Sequence, residues 1–385
     1  MNNFHYRIPT EIYFGKNQIE NLKNITAFGK TVLLVYGGQS IKKMGLYNKV
    51  KSILEDCRMN VFELGGIEPN PKIESVRKGV DICKKEKVDM VLPVGGGSVL
   101  DCAKVIAAGA KYEGDPWDLV LDGSKIAGAL PVVTVLTLSA TGSEMDEFAV
   151  ISDMDKNEKW GTGSEYIKPA FSILDPTYTF TVSKKQTAAG TADIMSHIFE
   201  NYFTNAEGAF VQARFCESLL KTCIKYGPVA LNEPDNYEAR ANLMWTSSLA
   251  INGLLSLGAE VTWCVHPMEH ELSAFYDITH GEGLAVLTPV WMEYVLSDKT
   301  AEKFAQYGEN VFDLPKGKNP METAKEAISK TREFFAVMGL PATLGQLGIE
   351  ETHFDKMAEK AAEGLETAFV PLTKDDVNQI FKNAL

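Results

Sequence analysis

Asp193 and His197, in the segment AGTADIMSHIFENYF, stand four residues apart. On a helix that spacing sends both side chains from one face, with Cβ atoms about 5–6 Å apart. His266 and His270 repeat the spacing in CVHPMEHELSAFYDITHGEG, and His280 follows in an ITHGEG turn. The chain has six histidines, and four of them fall in these two segments, too tight a grouping for scattered surface residues. One carboxylate and three imidazoles can hold one divalent ion, and the donor set suits Fe²⁺, Zn²⁺, Co²⁺ or Ni²⁺. No thiolate belongs to it, so a closed structural zinc site is less apt and a position stays open for a substrate oxygen. Spacing alone does not say which of His266, His270 and His280 stays off the metal.

A second constellation lies upstream. VLPVGGGSVLDCAKVIA places Gly95, Gly96, Gly97 and Ser98 between an apolar run and a helical pattern. Glycine lets the backbone come close to a phosphate, and the helix N-terminus then offers free N–H groups and the positive end of its dipole. A pyrophosphate is the expected ligand, although the loop is neither G-x-G-x-x-G nor a P-loop. Asp101, one turn into the helix, either faces that ligand or supports the helix N-terminus. A second glycine loop, YGGQSIKK, follows the apolar run Thr31–Tyr36. A carboxylate there would bind a ribose diol and repel a 2′-phosphate. The positions instead hold Gly37, Gly38 and Ser40, with Lys42 and Lys43 beyond, which favours NADP(H) over NAD(H). TLSATGSEMDEFAVIS supplies a third polar loop, in which Thr137, Ser139, Thr141 and Ser143 can meet phosphate or a nicotinamide amide. Their other use is turn chemistry and helix capping.

The elements that must carry these residues follow from periodicity. TVLLVY reads as a buried strand, and NVFELG, DMVLPVGGG, LPVVTVLTL and FSILDP as four more strands, with helices over 46–57, 73–86 and from Ser98 onward. Continuous apolar strands alternating with helices predict a parallel sheet covered on both faces. Glu11 to Phe14 is expected to add an edge hairpin. From residue 182 onward a 3.6-residue period dominates, in segments 184–204, 207–226, 236–257, 259–274, 281–296, 299–310, 319–338 and 351–364. The expected organisation is therefore an α/β domain over 1–181 and a helical, metal-binding domain over 182–385.

Composition narrows the partners. A net charge of −13 repels nucleic acid phosphates and anionic lipid, so neither is an expected partner. The opening MNNFHYRIPTEIYF has no basic segment followed by an apolar one, and no apolar stretch is long enough for a membrane span. Six cysteines without a C-x-x-C pair fit a reducing cytoplasm.

With these motifs in hand, the chain resembles a known family. TADIMSHIFE and HPMEHELSAFYDITHGEGLAVLTP look like the two signatures of the iron-containing (group III) alcohol dehydrogenases. IEPNP (Ile67–Pro71), GGGSVLDCAK and TLSATGSEMD match the same family in the same order, in particular its clostridial-type butanol dehydrogenases and NADPH-dependent aldehyde reductases. The resemblance implies a dehydroquinate synthase-like fold, with an N-terminal dinucleotide-binding α/β domain and an all-α C-terminal domain. It implies Asp193, His197, His266 and His280 as metal ligands, with Fe²⁺ first and Zn²⁺ second, and His270 as the non-ligand beside the nicotinamide. His270 is then the candidate catalytic residue, relaying the proton of the alcohol oxygen, and its other use is to hold the metal helix. Cofactor contacts are implied for Gly37, Gly38, Ser40, Pro71, Gly95, Gly96, Gly97, Ser98, Asp101, Thr137, Ser139 and Thr141, and for Lys159 in NEKWG. The implied activity is reversible hydride transfer between NADP(H), or NAD(H), and a primary alcohol/aldehyde pair such as butanol and butanal, in a cytoplasmic homodimer. Two positions depart from the pattern. Gln39 breaks the G-G-G-S form of the adenosine-side loop, and Asp146 stands where relatives often carry Asn, with its charge expected near the nicotinamide side. A lyase on the same fold would need Lys and Arg clustered about an anionic substrate, and no such cluster adjoins the histidines.

Overall fold

Strands Thr31–Tyr36 and Met90–Gly95 are apolar on both faces because both faces are covered. In the computed structural model, which describes Met1–Leu385, they form the centre of a six-stranded parallel sheet. Its strands are β1 (Glu11–Phe14), β2 (Thr31–Tyr36), β3 (Asn60–Leu64), β4 (Met90–Gly95), β5 (Val133–Leu136) and β8 (Phe171–Leu174), in the order β1-β8-β5-β4-β2-β3. Alternate residues serve opposite cores, as the two-residue period of a strand requires. Leu33, Val35 and Val91 pack with Val76, Val80, Val105 and Ile106 of the helices Ile73–Glu86 and Gly97–Gly109. Val32, Leu34, Met90 and Leu92 pack on the other side with Leu22, Val50, Ile53 and Leu54.

The chain order along the sheet reverses between β2 and β4, which pair directly, Tyr36 opposite Val94. Ligand crevices in open α/β sheets form at the carboxyl ends of strands at such a switch point. Here those ends carry the two glycine loops.

Two local expectations change. Glu11–Phe14 is an edge strand paired in parallel with β8, Tyr13 opposite Ile173, rather than one arm of a hairpin. A real hairpin lies elsewhere: β6 (Phe148–Asp153) pairs antiparallel with β7 (Glu158–Gly163). Its arms are short and turn through Met154–Asn157, so no long apolar alternation announces them.

The chain divides into two compact units: Arg7–Val182 with Pro234–Ser248, and Met1–Tyr6 with Ser183–Glu233 and Leu249–Leu385. The first is the α/β unit. Periodicity groups Pro234–Ser248 with the helical half, yet Met244 packs against Leu100, Leu136 and Leu174 of the sheet side. Ser247 Oγ donates to the Ala140 carbonyl at 3.1 Å and Ser248 Oγ to Glu144 at 2.5 Å. Helical spacing reveals a buried face but not the distant residues that cover it.

The second unit is helical. Its helix Lys184–Tyr202 starts at a Ser183 side-chain cap and is buried on nearly every side from Thr187 to Glu200. The helix His280–Val295 crosses it closely. A Cβ at Gly281 would lie 2.0 Å from the Ala189 carbonyl oxygen, so only glycine admits this approach. A further helix, Lys374–Asn383, starts at a Thr373–Asp376 capping box. No helix is long and apolar enough to cross a membrane.

Candidate metal centre and dinucleotide site

Asp193 and His197 leave the inner face of the helix Lys184–Tyr202, and both are buried. His266 lies in the first turn of the helix Val265–Tyr276, and His280 opens the helix His280–Val295. The Gly281–Ala189 approach brings this last helix end to within a turn of Asp193.

Asp193 Oδ1 is the centre of the cluster. It lies 3.6 Å from His197 Nε2, 3.8 Å from His266 Nε2 and 3.6 Å from His280 Nε2. Two ligands about 2.1 Å from one tetrahedral ion stand about 3.4 Å apart, so these separations suit a shared ion. Asp193, His266 and His280 each offer a ligand atom within 4.8 Å of the others. Asp193 Oδ1 and His266 Nε2 are buried and have no hydrogen-bond partner, and the same holds for His197 Nδ1. Each such orphan costs about 1–3 kcal/mol, and native proteins tolerate few. A cation at the centre removes the penalty at the two atoms that face it. The donor set and its unsatisfied atoms therefore fit a divalent ion.

The electrostatics agree. Burial works against ionising Asp193, but the three imidazoles outweigh it and hold the carboxyl well below its usual range. Burial pushes the His197 imidazolium down to about 3, so this ring is neutral and able to ligate. Burial lowers His266 too, but Asp193 and Glu200 overcome it and lift the ring to about 9 without an ion. Metal uptake there displaces a proton.

His270 stands apart. Its ring centroid is 5.7 Å from that of His280 and 6.2 Å from that of His266. It groups with Glu269 and His280 rather than with Asp193.

Sequence reasoning missed three neighbours of the site. Glu200 accepts the backbone N–H groups of Cys264, Val265 and His266 and contacts His266 Nδ1 at 3.2 Å. It lies seven residues after Asp193 and three after His197, on the same helix face, and that spacing was its available signal. Glu269, fully buried, meets His280 Nδ1 and accepts Ser273 Oγ at 2.5 Å. Trp263 packs on His266 and His197 at centroid distances of 4.6 and 5.4 Å.

In the α/β unit the three polar loops converge at the ends of β2, β4 and β5. A Cβ on Gly97 would meet Thr141 at 2.3 Å, and one on Gly96 would meet Leu138 at 3.2 Å. Thr137 N–H donates to the Gly95 carbonyl at 2.9 Å, and Gly37 faces Val99 just past Ser98. Gly38 and Ser40 are exposed, and nothing lies within 4 Å of a Cβ built on Gly38. Ser139 is half-buried in the same loop cluster. Pro71 accepts the Ser152 N–H at 2.9 Å, and Ser152 is the register partner of Lys159, so these two distant residues share one neighbour. Of the apolar residues near the loops, Ile151 belongs to the sheet core.

Asp101 turns inward. One oxygen accepts Ser143 Oγ at 2.6 Å and the other the Val150 N–H at 3.0 Å, which ties the glycine-loop helix to β6. Asp146 does the same. It is buried and paired with Lys104, itself 0% exposed, at 2.6 Å, so its charge is neutralised inside the unit rather than presented to a ligand. Lys104 also donates to the Phe148 carbonyl at 2.9 Å.

A parallel sheet with a glycine-loop switch point, in one chain with a helical Asp–His₃ cluster, fits a metal-dependent dinucleotide oxidoreductase. Comparison with known proteins gives the same class. Residues 9–176 match the model of iron-containing alcohol dehydrogenase, and residues 187–385 match that of the Fe-containing alcohol dehydrogenase family, C-terminal. The chain belongs to the iron-containing alcohol dehydrogenase family. It is 55% identical over 388 residues, the full length of both chains, to NADH-dependent butanol dehydrogenase A of Clostridium acetobutylicum. It is 41% identical to the NADPH-dependent aldehyde reductase YqhD of Escherichia coli, over 94% of each chain. The crystal structure of NADH-dependent butanol dehydrogenase A from Thermotoga maritima superposes with a TM-score of 0.94 at 38% identity, covering 100% of this chain and 99% of that one. The protein is an oxidoreductase of the alcohol dehydrogenase and aldehyde reductase kind. Its relatives include both NADH- and NADPH-dependent enzymes.

Proposed function

We propose that this protein interconverts small primary aldehydes and alcohols, butanal and butanol among them, with NADP(H) favoured and NAD(H) accepted. The observation that carries the metal-dependent part is Asp193 Oδ1, buried without a donor and ringed by three Nε2 atoms at 3.6–3.8 Å. Asp193, His197, His266 and His280 would hold the ion, whose Lewis acidity polarises a substrate oxygen while the nicotinamide supplies or accepts the hydride.

The remaining work falls to this chain's own residues. The N–H groups at Gly96–Ser98 face the position where a pyrophosphate is stabilised by the helix dipole. Thr137, Ser139 and Thr141 orient the nicotinamide half, and Pro71 and Lys159 line the side of the ribose. The Asp101–Ser143 and Lys104–Asp146 contacts hold the loop at 141–148 against the glycine-loop helix, and so fix these donors relative to each other. His270, close to the histidine cluster but off its centre, moves the proton that the alcohol oxygen gains or loses, since imidazole titrates near neutral pH. The cofactor preference is supported by the absence of a carboxylate at 37–40 and by the open space at Gly38. Assembly as a cytoplasmic homodimer is supported by family resemblance.

The test is direct. Metal-stripped protein reloaded with Fe²⁺ or Zn²⁺ is mixed with butanal and either NADPH or NADH. Loss of nicotinamide absorbance that needs the metal and disappears in Asp193→Ala supports the proposal. Equal turnover by metal-free protein defeats it.

A further inference from the structure

With Asp193, His197, His266 and His280 taken as the ligands proposed above, we infer that Glu200 and Glu269 are positioning residues that fix the ligating tautomer of His266 and His280. Asp193 and His197 share one helix, so their relative placement is set by helical geometry. His266 and His280 come from two other helices and need separate orientation.

Each of the two rings has the same device. His266 Nδ1 lies 3.2 Å from Glu200 Oε1, and His280 Nδ1 meets Glu269 Oε2. A carboxylate at Nδ1 keeps the proton on that nitrogen and leaves the Nε2 lone pair free. In both rings Nε2 is the atom that faces Asp193 Oδ1, at 3.8 and 3.6 Å.

Each carboxylate is itself held in place. Glu200 accepts three backbone N–H groups at the start of the helix Val265–Tyr276: Cys264 at 2.8 Å, Val265 at 2.8 Å and His266 at 3.0 Å. It therefore links the helix that carries Asp193 and His197 to the helix end that carries His266, and the dipole there favours its charge. Glu269 is fully buried and accepts Ser273 Oγ at 2.5 Å from the next turn of its own helix.

The experiment measures Co²⁺ binding, not turnover. Full-length protein is stripped by chelation and titrated with Co²⁺ as wild type, Glu200→Gln, Glu269→Gln and Asp193→Ala. Dissociation constants, the visible d–d spectrum and the melting temperature of each metal-free protein are recorded. We expect both glutamine variants to bind Co²⁺ about 10–100-fold more weakly with a shifted spectrum. Metal-free Glu269→Gln should melt close to wild type, which separates ring orientation from a general loss of fold. Glu200→Gln also weakens a helix cap, so Glu269→Gln is the decisive variant. Wild-type affinity and spectrum in Glu269→Gln, alongside lost binding in Asp193→Ala, overturns this inference and leaves the ligand assignment intact. Wild-type binding in Asp193→Ala overturns the assignment itself.

Discussion

At the scale of single residues, Asp193 presents one oxygen to three imidazoles, while His270 groups with Glu269 and His280 rather than with Asp193. The two kinds of histidine should therefore separate experimentally. His270→Ala is expected to retain a full complement of metal by elemental analysis while turnover slows about 10²–10⁴-fold, the range for a lost proton-transfer group. Metal loss in that variant would make His270 a ligand. At the other site, Gly38 is exposed with open space around its Cβ position, so Gly38→Asp should fold normally. The new carboxylate should raise KM for NADPH far more than for NADH, because it repels a 2′-phosphate and can bind a ribose diol. An unchanged ratio of the two kcat/KM values would remove the basis for preferring NADP(H). Both glycines and histidines were legible in the chain because their residue types are unusual for core or surface at that spacing. Glu200 and Glu269 were not, because a glutamate on a helix is ordinarily a solvated residue.

At the scale of elements, close approach and buried charge decide the site. Gly281 sits where the helix His280–Val295 meets the Ala189 carbonyl, so Gly281→Ala must push the two helices apart. Overpacking of this kind costs about 1–3 kcal/mol in urea unfolding, and it moves His280 away from Asp193, so metal retention should fall as well. Unchanged stability would mean that the approach is looser than described. In the α/β unit, burial pushes the Glu144 carboxyl up from 4.5 to about 7, against the Ser248 hydroxyl and its own backbone N–H, which donate to it. Asp146 and Lys104 act on it weakly and in opposite senses. Between those two pH values the folded protein keeps a proton that the unfolded chain releases, so stability falls as pH rises through that window. Glu144→Gln cannot ionise. Its stability relative to wild type should therefore climb by up to about 3 kcal/mol between pH 4.5 and 7 and level off above. A difference that stays flat with pH would show that Glu144 ionises normally. The five expected strands and most helices were readable from apolar runs and the 3.6-residue period. The parallel pairing of Glu11–Phe14 with β8 was not, because its partner lies about 160 residues downstream and edge position leaves no local mark.

At the scale of the whole molecule, all four proposed ligands lie in one unit, and the glycine loops lie in the other. Chelation should therefore act unevenly. A site at 100-fold excess of ion over its Kd contributes about 2.7 kcal/mol, or roughly 5–10 °C for a unit of this size. Calorimetry should show the helical unit melting earlier after chelation and recovering on readdition, with the α/β unit little changed. A profile insensitive to chelation would argue against a resident ion. The amino-acid sequence by itself determined the alternation that builds the sheet, the glycine runs at its strand ends and the i, i+4 pairs that supply donors, because local periodicity and residue chemistry are properties of short segments. Only the tertiary structure decided that Asp146 and Asp101 turn their charge inward, that Met244 joins the sheet side, and that Asp193 Oδ1 comes to 3.6 Å from His280 Nε2. Those outcomes depend on which distant segments cover each buried face, and on the few ångströms by which Gly281 lets two helices meet.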